Sequence, residues 1–144
     1  MYPEMMVAPM RQELTSAGVE EARTAADVEK AVSQKGTVMV VVNSICGCAA
    51  GRMRPAVRAA IQNSVRPERM ITVFAGQDRE ATEAARRHFK GYPPSSPSIG
   101  ILRDGQLVYM MQRSDIETNG PGEIAAALKG AFEKYCAKKA VVST

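Results

Sequence analysis

The sequence predicts an α/β fold in which a mixed central β-sheet is flanked by helices on both faces. Residues 37–43 form an unbroken run of mostly β-branched side chains, which is typical of a strand covered on both faces. A helical pattern and a second apolar strand follow, and this order favours parallel strands joined by a right-handed crossover. Asp104-Gly105, between two further apolar runs, predicts a hairpin that adds antiparallel strands. We expect residues 1–144 to form one domain with its own core.

Local signals place the individual elements along the chain. Thr24 is a suitable N-cap, and Asp27 lies three residues later in the position of a capping box. Pro121 fits the first turn of the last helix, whereas Pro55 lies inside a predicted helix and should kink it, because proline lacks one backbone donor. The predicted helices cover residues 8–17, 25–34, 49–64 and 79–90 and a segment that starts near 121, and the predicted strands cover 37–43, 70–75, 98–102 and 106–111.

Composition argues against several classes of protein. A hydrophobic content of 45% is too high for a disordered chain, and no apolar run approaches the ~18–20 residues that cross a bilayer. The net charge is +4, but aromatic residues make up only 5%, so a basic stripe with interleaved aromatics for nucleic acid is not expected. Three cysteines do not form the framework of a disulfide-stapled secreted domain. We therefore expect a cytoplasmic protein whose partners are neither nucleic acid nor membrane.

The motif Cys46-Gly47-Cys48 carries the strongest indication of chemistry. It follows the predicted buried strand directly and precedes a predicted helix. A helix start offers unpaired N–H groups and the positive end of the helix dipole, and both favour a thiolate over a thiol. The thiolate is the form that attacks disulfides, so the motif predicts redox or thiol-transfer chemistry. Gly47 is expected to let the backbone turn tightly between the two sulfurs.

Two other interpretations of the cysteine pair stay open at this stage. A structural zinc site normally takes four Cys or His ligands, whereas the chain offers only Cys46, Cys48, Cys136 and His88. A metal-binding or metal-delivery module would therefore need ligands from a partner. The cysteines could also be incidental in an interaction protein. We expect His88 and Cys136 to pack beside the apolar stripes of their helices, so no metal ligand is assigned.

Three arginines follow the cysteines on the next predicted helix, at positions 52, 54 and 58. In one interpretation they form a solvated face, with Arg54 and Arg58 pointing away from the apolar stripe. In the other, Arg52 or Arg54 lowers the pKa of Cys46 or binds the carboxylates of an anionic thiol.

The segment around the cysteines, residues 41–51, resembles the signature of the bacilliredoxin family, which are thioredoxin-like proteins with a CGC active site. Residues 9–15, 73–78 and 93–98 also resemble segments of that family, so the resemblance extends over most of the chain. It implies a thioredoxin fold, which agrees with the predicted order of elements. It also implies that Pro97 precedes a strand with a cis peptide bond and faces the active site.

The same resemblance implies an activity and the roles of several residues. Cys46 would attack a protein mixed disulfide with bacillithiol, and Cys48 would resolve the adduct or form a disulfide with Cys46. Weak disulfide isomerase activity is implied as well. No cofactor would be needed, since bacillithiol or another low-molecular-weight thiol is a co-substrate and the partners are S-thiolated or disulfide-bonded proteins. The residues assigned to substrate binding are Gly47, Ser96, Pro97, Arg52 and Arg54.

Overall fold

A computed structural model describes residues 1–137 and contains a five-stranded sheet between two layers of helices. The strands are β1 (Glu20–Glu21), β2 (Thr37–Asn43), β3 (Arg69–Phe74), β4 (Ser98–Arg103) and β5 (Gln106–Met111). The helices are α1 (Glu4–Thr15), α2 (Ala25–Val32), α3 (Arg54–Ala60), α4 (Arg79–Arg87), α5 (Arg113–Glu117) and α6 (Pro121–Tyr135), and a π-helical turn (Ala49–Met53) leads into α3.

The strands of the sheet lie in the order β1-β3-β2-β4-β5. β3 is parallel to both β1 and β2, whereas β4 is antiparallel to β2 and to β5. The predicted mixed sheet, with one parallel crossover and one hairpin, is therefore confirmed. β2 is the central strand, so its C-terminal end lies in the middle of one edge of the sheet.

The side chains of β2 alternate between two hydrophobic cores. Met39 and Val41 pack with α3 and α6 on one face, and Val38, Val40 and Val42 pack with α2 and α4 on the other. Every residue of β2 is buried. This burial on both faces explains why the strand reads as a continuous apolar run instead of an alternating pattern.

Several local predictions are confirmed. β2, β5 and the start of α6 have the expected bounds. The Thr24 hydroxyl caps α2 by accepting a hydrogen bond from the backbone N–H of Asp27 at 3.1 Å. Asp104 and Gly105 have φ angles of 51° and 81°, as a two-residue hairpin turn requires.

The helix predicted over residues 8–17 is wrong in position. α1 begins at Glu4 and continues through Pro9. Met5 and Pro9 are both exposed, so water can solvate the Met5 carbonyl that proline leaves without a donor. The short elements β1 and α5 were not expected from the sequence. In the part of the chain described here, residues 1–137, no helix has both the length and the apolar composition needed to span a membrane.

The segment predicted as one helix over residues 49–64 is also different. A π-helical turn comes first, in which the N–H of Arg54 donates to the carbonyl of Ala49, five residues earlier. α3 then begins, with Pro55 in its first turn and its last residue at Ala60. Proline is tolerated there because N–H groups of the first turn need no partner within the helix. The expected interruption at Pro55 thus takes the form of a wider turn directly after the cysteines.

Candidate active site

The two cysteines of the motif lie where β2 ends and the next helix begins. Cys46 and Cys48 are half-buried, and Gly47 between them is exposed. The N–H groups of Ala49 and Ala50 donate to the carbonyl of Cys46 at 3.0 and 3.1 Å, so the first helical turn starts at Cys46 itself. This is the helix-start position that the sequence predicted for the pair.

Cys46 has an environment that favours the thiolate. The Ser44 hydroxyl donates to the Cys46 sulfur at 3.2 Å. Burial by itself would raise the pKa of the thiol, but this hydrogen bond opposes it, as do backbone hydrogen bonds from Ala49 and Cys48 and the positive charge of Arg113. Together these groups outweigh burial, and the pKa of Cys46 lies below the ordinary value of a thiol.

Cys48 has the opposite tendency, although it is only two residues away. Burial raises the pKa of its thiol, and the neighbouring Cys46 raises it further through charge repulsion and a hydrogen bond. The carboxylate of Glu117 adds to this effect, while Arg113 partly offsets it. The two sulfurs are therefore unequal, with Cys46 the better nucleophile at neutral pH.

The loop that carries Pro97 enters the sheet beside the cysteines. The Ser96–Pro97 peptide bond is cis, as predicted, and Pro97 is buried. The next residue, Ser98, begins β4 and pairs with Val42 near the end of β2. The antiparallel register therefore brings the start of β4 next to the strand end that leads to Cys46.

Helix α5 connects this loop with the cysteine-bearing turn. The guanidinium of Arg113 donates to the carbonyl of Ser96 at 3.2 Å, and its backbone N–H donates to the Ser95 hydroxyl at 3.4 Å. Arg113 also forms an ion pair with Glu117, one helical turn later. α5 packs against the π-helical turn, so both charged side chains belong to the neighbourhood of the two sulfurs.

The predicted outward orientation of Arg54 is wrong. Its side chain is only 2% exposed. One terminal nitrogen donates to the Asn43 side-chain oxygen at 3.0 Å and to the Ser44 carbonyl at 2.8 Å. Its Nε lies 2.5 Å from a carboxylate oxygen of Glu13, as an ion pair without hydrogen-bond alignment. Arg54 therefore holds the backbone that leads into Cys46 from within the protein and is not placed to bind a substrate.

The other predicted residues near the cysteines are reachable from solvent to different degrees. Arg52 is half-buried and donates to the carbonyl of Asn119 at 2.6 Å, which ties the π-helical turn to the loop after α5. Arg58 is exposed and donates to the carbonyl of Glu13 at 2.6 Å. A Cβ atom added at Gly47 would meet nothing within 4 Å, and Gly47 does not have a positive φ. The structure therefore gives no conformational need for glycine at that position, and the space that a side chain at position 47 would enter is open.

The remaining candidates for metal ligation lie apart from the site. His88 is at the end of α4, where its Nε2 lies 3.1 Å from a carboxylate oxygen of Glu29. Cys136 is buried at the end of α6. Within residues 1–137, no three His, Cys, Asp or Glu side chains lie close enough together to hold a metal ion.

Three residues of the site, Ser44, Arg113 and Glu117, were not assigned from the sequence. A serine two residues before the nucleophile was a usable signal, because a hydroxyl there can reach the sulfur. The Arg113–Glu117 spacing of four residues predicts a helical ion pair. That spacing alone did not reveal that the pair lies beside the cysteines.

Comparison with known proteins gives consistent matches. The family described as "Disulphide isomerase" matches residues 2–136. A bacilliredoxin of Koribacter versatilis is 63% identical over 137 residues, which is 94% of each chain. Bacilliredoxins of Staphylococcus aureus are 45% identical over 139 residues, or 96% of each chain.

Several solved structures with a similar fold are thioredoxins. The oxidised thioredoxin of Plasmodium falciparum has a TM-score of 0.60 and 21% identity, covering 83% of this chain and all of that one. Fasciola hepatica thioredoxin has a TM-score of 0.56 and 19% identity, covering 81% of this chain and 99% of that one. The predicted thioredoxin-like fold is thereby confirmed.

Proposed function

The chain belongs to the bacilliredoxin family and is a thiol–disulfide oxidoreductase, and on that premise we propose that it removes a low-molecular-weight thiol, bacillithiol, from protein mixed disulfides. Cys46 is the attacking nucleophile and Cys48 is the resolving thiol. The observation that carries this assignment is the hydrogen bond from the Ser44 hydroxyl to the Cys46 sulfur at 3.2 Å, at the start of a helical turn. These groups stabilise a thiolate on a sulfur that solvent still reaches.

The reaction begins when the Cys46 thiolate attacks the small-thiol sulfur of the mixed disulfide. A new S–S bond joins Cys46 to the small thiol, the original S–S bond breaks, and the protein sulfur leaves as a thiolate that takes a proton from solvent. Cys48 then loses its proton and attacks the Cys46 sulfur, which releases the small thiol. The two cysteines have given two electrons to the substrate and are left as a Cys46–Cys48 disulfide. A thiol reductant must reduce this disulfide before the next turnover.

The surroundings of Cys46 support substrates with a small group on sulfur. Gly47 is exposed and adds no side chain between the two cysteines, and the loop with Ser96 and Pro97 enters β4 next to the end of the strand that leads to Cys46. Arg52 is half-buried and keeps donors beyond its bond to Asn119, so among the helix arginines we assign it to a carboxylate of the small thiol.

Further features of the proposal follow from the same chemistry. Attack by Cys46 on a disulfide between two protein cysteines, followed by release, gives a weak disulfide isomerase activity. The sulfurs carry the electrons, so we assign no cofactor. A reducing compartment such as the cytoplasm suits a protein whose three cysteines are all unbridged.

Mass spectrometry of three proteins, the wild type, Cys46→Ala and Cys48→Ala, tests the proposal. Each is mixed with a protein S-thiolated by bacillithiol and, in parallel, with the same protein S-thiolated by glutathione. We expect the wild type to form an internal disulfide and Cys48→Ala to retain the small thiol on Cys46. Cys46→Ala should release almost no small thiol from the S-thiolated protein. Release by Cys46→Ala at the wild-type rate contradicts the assignment, and a faster reaction with glutathione contradicts the choice of thiol.

A further inference from the structure

The last residue of β2, Asn43, carries a buried amide three residues before Cys46. Asn43 is only 1% exposed, so it cannot touch a substrate. Its Oδ1 accepts from the backbone N–H of Ser44 at 2.9 Å and from Nη1 of Arg54 at 3.0 Å, and its Nδ2 donates to the Met10 carbonyl at 3.2 Å. Two donors at one end of the amide and an acceptor at the other allow a single orientation of the group.

The position of Asn43 is fixed by three elements that surround the end of β2. Its backbone carbonyl accepts from the N–H of Ala75 at 2.9 Å, directly after the point where Asn43 pairs with Phe74 of β3. Its side chain is bound by Met10 of α1 and by Arg54 of α3. Asn43 is therefore anchored by the sheet and two helices, independently of the turn that carries the cysteines.

Ser44 is held by this anchor at both of its backbone polar groups. Its N–H donates to Asn43, and its carbonyl accepts at 2.8 Å from the same Arg54 nitrogen that binds Asn43. The Ser44 hydroxyl oxygen accepts from the backbone N–H of Cys46 at 3.4 Å, and the hydroxyl donates to the Cys46 sulfur at 3.2 Å. A continuous series of hydrogen bonds thus leads from the Asn43 amide to the attacking sulfur.

We propose that Asn43 is a positioning residue for the nucleophile, because its amide fixes the backbone of Ser44 and so keeps the Ser44 hydroxyl directed at the Cys46 sulfur. This inference rests on the proposed function, in which Cys46 attacks. Hydrogen bonds weaken steeply when their distance and angle depart from the preferred values, so a small rotation of the Ser44 backbone costs the sulfur its donor. Asn43 acts through Ser44 and touches neither sulfur nor substrate.

The other groups that favour the thiolate do not pass through this amide. They are the backbone N–H groups of Ala49 and Cys48 and the positive charge of Arg113 on α5. Arg54 is the charged side chain that bonds to Asn43, and a change at Asn43 could also act on the sulfur by displacing that charge. The test therefore has to separate a route through the Ser44 hydroxyl from a route through Arg54.

A double-mutant cycle makes this separation, with the wild type, Asn43→Ala, Ser44→Ala and the double variant. Alkylation of Cys46 in the reduced proteins is followed by peptide mass spectrometry across a pH series. In Asn43→Ala we expect the inflection to move to higher pH and the rate at pH 7 to fall by about two- to tenfold at most, as for the loss of one hydrogen bond. In the Ser44→Ala background the same change should have no further effect, because the hydroxyl through which Asn43 acts is gone. An unchanged inflection in Asn43→Ala, or an equal fall in both backgrounds, would overturn the inference.

The matched control is Thr72→Val on β3. The buried Thr72 hydroxyl donates to the Val41 carbonyl of β2 at 2.9 Å, so this variant also removes a buried hydrogen bond to β2 but leaves Ser44 in place. It should lower stability without moving the Cys46 inflection, and a shift as large as that of Asn43→Ala would contradict the positioning role. Asn43→Thr keeps a strand-forming side chain and carries the same prediction if Asn43→Ala does not fold. Because alkylation needs no mixed disulfide, the inference can fail while release of the small thiol, and with it the proposed function, holds.

Discussion

Cys46 and Cys136 carry the same thiol, but their surroundings shift its pKa in opposite directions. Burial disfavours the thiolate in both regions. At Cys46 a helical turn begins, and the Ser44 hydroxyl donates to the sulfur, so the pKa falls in spite of burial. Cys136 caps the C-terminal end of α6, and burial keeps the pKa of its thiol raised although Thr37 lowers it in part.

The two thiols differ in the donors that reach the sulfur: the Ser44 hydroxyl and backbone N–H groups at a helix start favour the Cys46 thiolate, whereas burial dominates at Cys136. Backbone N–H groups and the positive end of the dipole lie at a helix start, whereas unpaired carbonyls lie at its last turn. A cysteine at the first end is prepared for attack on a disulfide, and one at the second end behaves as a small buried apolar residue.

The largest expected effect is the loss of activity when the Cys46 sulfur is removed, and the matched control removes the Cys136 sulfur. Cys46→Ser should lower the rate of release of the small thiol by at least about 10³-fold, because a serine hydroxyl does not ionise near neutral pH. Cys136→Ser should leave that rate within about twofold of the wild type, since its sulfur is buried away from the site. Release is measured by mass spectrometry of the S-thiolated substrate protein. A large loss in Cys136→Ser with a normal circular dichroism spectrum would break the comparison.

The next largest effect is expected from Arg54, the buried arginine that binds the backbone leading into Cys46. Arg54→Met removes the donors to the Asn43 side chain and the Ser44 carbonyl. The buried Ser44 carbonyl loses this partner, and the Asn43 side-chain oxygen keeps only the backbone N–H of Ser44. We expect the free energy of unfolding to fall by about 2–4 kcal/mol. Urea unfolding measures this loss.

The matched control for that variant is Arg58→Met on the same helix. Arg58 is exposed, so its loss should cost less than about 1 kcal/mol of unfolding free energy. Equal losses in the two variants would show that the buried position of Arg54 contributes nothing beyond that of a surface arginine.

A smaller and more specific change is expected from Ser44→Ala. The variant removes the hydroxyl that donates to the Cys46 sulfur, so the pKa of Cys46 should rise. The inflection in the alkylation rate of Cys46 should move to higher pH, and less thiolate should be present at pH 7. Ser33→Ala, at the exposed end of α2, is the control and should leave the inflection in place. An unchanged inflection in Ser44→Ala would assign the low pKa to the backbone donors at the helix start and to Arg113.

Much of the fold could be read from the chain because its signals are local or strongly periodic. The all-buried strand β2, the Asp104-Gly105 turn and the capped start of α2 each depend on residues close in sequence. The position of the cysteine pair followed from the same signals, since a strand and then a helix must meet at a turn. By contrast, β1 has two residues and α5 has five, which is too short for a pattern to emerge.

Arg54 shows why side-chain environments were harder to predict. Its charge and its spacing from Met53 and Val57 favoured an exposed face, yet it is buried. The π-helical turn changes the helical register just before it, and Glu13 of α1 offers a charge partner. Neither the altered register nor the neighbouring helix is visible in the residues around position 54.

The sequence by itself determined the nucleophile and its place at the start of a helical turn, because strand and helix patterns and the cysteine spacing are properties of adjacent residues. Only the tertiary structure decided which charges surround the sulfurs, since Arg113 and Glu117 come from a helix more than sixty residues further along the chain. Coulomb interactions depend on distance in space, and the packing of α5 against the π-helical turn sets that distance.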